Sequence, residues 1–213
     1  MGKLREEISR TLPAPLRLPD EIAAALDWIE SVGATGRMRH GDILFGVLDP
    51  DFVDAMGGSC LTFEPTDPGH APAWTGNTNT AITNRLIPFI RTGGDGSYAA
   101  FWLDDDGQQQ IVHLGSGSGS LMTGVMVRSP LDFLRLLAIG YEELCWPEVL
   151  HLPPHAAAMN PELLVLPLRF RHWLLSTYDV SIPATAHDIM LPLANMDRAS
   201  DDPFSRWLDR IRG

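Results

Sequence analysis

Between Arg85 and Val127 four short apolar runs follow one another: RLIPFI, SYAAFWL, QIVHLG and LMTGVMV. The breaks between them are RTGGDG, DDDGQ and SGSGS. Runs this short, rich in aromatic and β-branched residues and punctuated by glycine and aspartate, read as strands joined by tight connections. Residues 86–128 are therefore predicted to form consecutive antiparallel strands, which limits the fold to one built around a meander. Pro88 falls inside the first run. It has no N–H for a ladder, so it predicts an edge strand or a bulge there.

Two of the breaks could be read as binding loops. Thr92-Gly93-Gly94-Asp95-Gly96 lacks the lysine and hydroxyl residue of a phosphate loop, and a strand rather than a helix follows it. Asp104, Asp105 and Asp106 are consecutive, whereas a calcium loop needs oxygen ligands at alternate positions and a closing glutamate. Both breaks are read as turns, in which glycine supplies positive φ and aspartate satisfies turn N–H groups. Gly93, Gly94, Asp95 and Gly96 are accordingly assigned a structural role. The third break, within Gly115–Ser120, places glycine at the nucleophile position of G-x-S-x-G and is read as a flexible connection.

Helical periodicity surrounds the meander. LPDEIAAALDWIESVGA has Ile22, Leu26 and Ile29 on one face, with Asp20 as a cap and Gly33 as a stop. Residues 36–85 read as irregular, with short strands in DILFGVLDPDFV and SCLTFEP. After the meander, Ser129 is placed to cap a helix, Pro130 to open it and Asp132 to complete a capping box. The stripe Leu131, Leu134, Ala138, Tyr141 and Cys145 predicts that this helix runs from Pro130 to Cys145, with Gly140 inside it and Glu142 and Glu143 on its exposed side. LRFRHWLLSTY and DDPFSRWLDRI read as later helices, the second capped by Asp202.

Composition narrows the function classes. A net charge of -11 disfavours direct binding to nucleic acid or an anionic membrane and favours a basic partner. No run of 18 apolar residues occurs. The charged N-terminus does not read as a signal peptide, and two widely separated cysteines, Cys60 and Cys145, read as free thiols. These features point to the cytoplasm. Among seven histidines, His151 and His155 are separated by Pro153 and Pro154, and no ligand spacing suits a metal. No cofactor or metal is expected. His113, in a strand, is read as structural.

The order of parts resembles the SUKH superfamily, also described as the cell-wall-assembly regulator family. LPDEI opens a helix, IPFIRTGGDGSYAAFWLDDDGQQQIVHLG follows an irregular region, and SPLDFLRLLAIGYEEL closes the series. The resemblance spans residues 12–146 and is densest over 86–146; VGATG stands where the family has an asparagine-glycine element. It implies an α+β fold, an antiparallel or mixed sheet flanked by helices, over residues 1–146, with 147–213 as a helical C-terminal extension packed on the same domain. It also implies a role without catalysis: an immunity protein that neutralises a bacterial toxin, with nucleases among the candidate toxins. The candidate contacts for such a basic protein toxin are Asp104, Asp105, Asp106, Glu142 and Glu143. Two alternatives from other classes are a regulatory scaffold of the same fold and an enzyme whose site is assembled from scattered residues such as Asp95, His113 and Glu143.

Overall fold

A computed structural model describes residues 2–38, 41–54 and 61–212. Its centre is an open antiparallel sheet in which spatial order follows chain order: β1 (Thr35–Arg37), β2 (Leu44–Gly46), β3 (Thr62–Phe63), β4 (Leu86–Arg91), β5 (Tyr98–Leu103), β6 (Gln109–Leu114), β7 (Met122–Val125) and β8 (Ala194–Asn195). The four apolar runs are β4 to β7, paired as consecutive antiparallel neighbours. The fold class is thus α+β, with an antiparallel sheet. Pro88 lies in an interior strand, not at an edge, and the ladder accommodates it by shifting register between Pro88 and Ile90. That bulge lets the adjacent Phe89 and Ile90 join the same core.

Side chains alternate across the sheet as a pleated strand requires. On β5, Ala99 and Phe101 enter one core and Ala100 and Trp102 the other. The first core is roofed by α1 (Lys3–Arg10) and α2 (Asp20–Ser31). The second face is covered in part by α3 (Ala71–Thr75) and α4 (Thr80–Thr83). After the meander come α5 (Pro130–Ile139), α6 (Pro154–Ala157), α7 (Leu168–Thr177) and α8 (Pro203–Arg212). Phe89 and Phe101 stack with ring centroids 4.0 Å apart, and Phe133 of α5 lies 5.6 Å from Phe89. α7 adds Phe170 and Leu174 to this core, while Thr177 is exposed. On the other face, Trp102 meets Phe204 and Trp207 of α8 at 5.2 and 5.6 Å.

Several local expectations are corrected. Ser129 does cap α5, accepting from the Asp132 N–H, but the Asp132 carboxylate pairs with Arg135 and does not close a capping box. α5 ends at Ile139, six residues before Cys145, because Gly140 sits at φ 95° and terminates it. The apolar stripe continues to Cys145 only because the following loop also lies on the core. Glu142 and Glu143 therefore belong to that loop. Asp20 is the first helical residue of α2, and Pro19 occupies the capping position. Asp202 does cap α8: one oxygen accepts from the Ser205 N–H and the other from the Val125 N–H, tying the helix to β7. Cys60 and His40 lie outside the described residues.

His113 is fully buried at the heart of the sheet. Its Nδ1 lies 2.8 Å from the Met122 carbonyl and its Nε2 3.2 Å from Thr92 Oγ1. A neutral ring with the proton on Nδ1 satisfies both: Nδ1–H donates to the carbonyl and Nε2 accepts from the hydroxyl. Burial pushes the pKa down to about 4, against the opposing pull of the Met122 carbonyl and the Asp95 charge. The unfolded chain, with a value near ~6.5, takes up the proton first as pH falls. Stability is therefore complete above about 6.5 and declines as pH drops toward 4, by an amount on the order of 3 kcal/mol. Urea unfolding at successive pH values is expected to show this slope, and His113→Leu is expected to flatten it whatever its absolute stability. An unchanged slope in the variant would contradict the assignment.

Candidate functional site

The turn at one end of β4 and β5 is organised by Asp95. Its Oδ1 accepts from the Ser97 N–H, and its Oδ2 accepts from Ser97 Oγ, Ser116 Oγ and the Ser120 N–H, at 2.7–3.0 Å. Burial alone would raise this carboxyl's pKa; the bonds from Ser116, Ser120 and Ser97 outweigh it and hold the pKa below the ordinary value. The Gly115–Ser120 connection, read from sequence as flexible, is thereby a bonded turn. Gly96 takes φ 95°, which glycine adopts without strain. Gly93 lies under the loop after α5, where an added Cβ would collide with Cys145 Sγ.

That loop brings Glu143 to the same turn. Its Oε1 accepts from the Gly94 N–H at 2.7 Å, while Oε2 accepts from the Trp146 indole N–H. Cys145 Sγ lies 3.8 Å from Oε2. Burial, then the charges of Glu143 and Asp95, push the Cys145 thiol far up, so it stays protonated and is a poor nucleophile. Glu142 is also pushed up, by burial and by the adjacent Glu143 charge. Trp146 forms a ridge between two depressions. One, of about 260 Å³, is lined by Tyr141, Glu142, Glu143, Val149, Met159 and Leu163 among others. The other, of about 330 Å³, runs past Leu121, Pro147, Glu148 and Leu193. Met159 is 99% and Leu163 65% exposed at the first of these.

The Asp104–Asp106 turn lies at the opposite end of β5, so the structure separates the two acidic sets named from sequence. Asp104 Oδ1 accepts from the N–H groups of Asp106 and Gln108, which makes it a turn former. Asp105 is shared by Arg85 and Arg210. The bond from Arg85 leads in holding its carboxyl below the ordinary range; burial opposes it and Arg210 adds to it. Asp106 is exposed.

The scattered trio Asp95, His113 and Glu143 does lie in one neighbourhood, but each side chain already holds internal hydrogen bonds. Among the described residues no three His, Cys, Asp or Glu side chains gather as a metal-ligand set. A cluster that sequence reasoning missed joins β4 and β5 to the residue after β3: Tyr98 donates to Glu64, and Arg91 lies 3.7 Å from the same oxygen. Burial, with Glu64 beside it, pushes the Tyr98 phenol up to about 12. No helix among the described residues is long and apolar enough to cross a membrane. No protein-family model, curated protein or solved structure matches the chain.

Glu143 is the pin of this site. Glu143→Ala removes the acceptor of two N–H groups, one on Gly94 and one on Trp146. The expected cost is on the order of 1–2 kcal/mol, with a displaced Trp146 indole resonance in NMR spectra. Unchanged melting together with an unchanged indole resonance would refute the role.

Proposed function

We propose that this chain is a non-catalytic, immunity-type protein that binds and neutralises a basic bacterial toxin, with a nuclease as the favoured class. The resemblance to the SUKH superfamily supports the type of role. The observation that carries the reading is the disposition of charge. Arg5, Arg37, Arg85, Arg135, Arg169 and Arg206 each pair with a carboxylate of the same chain, so much of its positive charge is spent internally. The excess behind the net charge of -11 is left to the surface. A protein that grips a phosphate backbone is basic where it does so, and an acidic face complements it and speeds its capture.

Of the two acidic ends, the one bearing Glu142 and Glu143 fits the role better. At the other, Asp105 is neutralised by two arginines, whereas the groups that donate to Glu143 are uncharged and it keeps its charge. The rim beside Trp146 also offers exposed apolar surface, which a stable interface needs at its centre.

Affinity purification from the native cell is expected to recover a basic protein that is toxic when expressed alone and harmless when co-expressed with this chain. Association should slow as ionic strength rises and the screening length shrinks from about 10 Å at 0.1 M to about 3 Å at 1 M. Glu142→Lys should slow it at low salt, and Asp106→Lys should do so much less. A partner that is acidic, or one captured at a rate indifferent to salt, would overturn the reading.

A further inference from the structure

Exposed apolar side chains are concentrated in one stretch of this protein. Met159, Leu163, Val165 and Leu168 lie within ten residues of chain and are each more than half exposed. Met159 and Leu163 line the groove of about 260 Å³ beside Trp146. Val165 lines a smaller recess that shares Tyr141 and Glu142 with that groove. Leu168 lines a separate depression with Trp28 and Trp173, but Met159 and Leu163 share the groove, and exposed apolar side chains gathered at a concavity mark a contact surface. Methionine at such a place adapts to the shape of what it meets.

The groove is built rather than accidental. Its floor residue Tyr141 donates toward the Leu150 and Leu152 carbonyls and accepts from the Ala186 N–H. Its Trp146 wall is held by Glu143, which is itself anchored on Gly94. The volume falls below the ~300–1,000 Å³ of small-molecule sites, which suits one or two side chains better than a free ligand. Glu142 and Glu143 stand side by side at its lip. Their mutual repulsion is part of what pushes the Glu142 carboxyl up, and an arriving cation would relieve it. A second copy of this chain would bring the same two carboxylates and the same charge of -11 to the contact, so charge opposes self-association.

We propose that the groove between residues 141–149 and 154–163 receives an apolar side chain from a basic segment of a partner polypeptide, with the charges of Glu142 and Glu143 attracting the lysine or arginine beside it. This rests on the reading of the chain as a binder of a basic protein, and it names the place and mode of contact.

Three short synthetic peptides test it against isotope-labelled full-length protein by NMR: one alternating lysine with leucine and phenylalanine, one with each lysine replaced by glutamate, and one with each apolar residue replaced by serine. The first is expected to shift the Trp146 indole and Met159 methyl signals, leaving Trp28 and Trp173 in place. Met159→Glu, on a side chain that is 99% exposed and so outside the folded core, should weaken that binding by about tenfold. Glu142→Gln should weaken it at low salt but not at 1 M salt. If the basic peptides bind away from Trp146, the groove assignment fails while the reading of a basic partner survives. If the glutamate peptide binds at least as well as the lysine one, both fail. Absence of binding by all three, or a dimer in solution that Met159→Glu disrupts, overturns the groove assignment.

Discussion

The hydrogen bonds to Asp95 are the interaction on which the functional end of this protein depends. A carboxylate moved out of water is costly unless its lone pairs are filled. Here Ser97, Ser116 and Ser120 fill them, from two different interstrand connections. The Gly-rich turn and the Ser-rich turn are therefore one unit. Gly94 sits at a fixed place on that unit, Glu143 fastens to it, and Trp146 fastens to Glu143. The walls of the groove follow from this chain of bonds, which runs from a half-buried turn at the end of the sheet to the surface.

The sheet that carries the turns is stabilised from both faces, and neither face is complete without distant sequence. Phe133 of α5 reaches the Phe89–Phe101 stack on one side, and Trp207 of α8 reaches Trp102 on the other. Removing a buried aromatic of this kind costs about 3–5 kcal/mol in other proteins. Asp202 shows the same economy as Asp95. One oxygen caps α8 and the other takes the Val125 N–H, so a single residue starts a helix and attaches it to a strand.

The meander was legible in the sequence because its cause is local: short apolar runs such as SYAAFWL, rich in aromatic and β-branched residues, with glycine at the turns between them. The caps at Ser129 and Asp202 were legible for the same reason. The end of α5 was not, because Tyr141, Leu144 and Cys145 continue the helical spacing while packing on the core from a loop. α1 was missed: its two buried residues, Leu4 and Ile8, stand among charged neighbours and resemble a solvated leader. β1 and β8 are too short to show a period, and β8 pairs with β7 across some seventy residues. The candidate site was only half legible. Asp95, Glu142 and Glu143 were named, but Trp146, Met159 and Leu163 were not; Asp105 is neutralised by Arg210 from 105 positions away and Glu143 meets Gly94 from 49 away, and no local pattern encodes such pairings.

The dependence of the rim on Asp95 can be measured by amide hydrogen exchange in Asp95→Asn. Asparagine keeps one acceptor oxygen but replaces the other by an NH₂ group, which cannot accept from the Ser120 N–H. The Gly119 and Ser120 amides are expected to exchange faster and the Trp146 indole signal to move, while the amides of Phe101 and Val112 in the sheet keep their protection. Wild-type exchange at Ser120, or equal loss of protection throughout β5 and β6, would contradict that dependence.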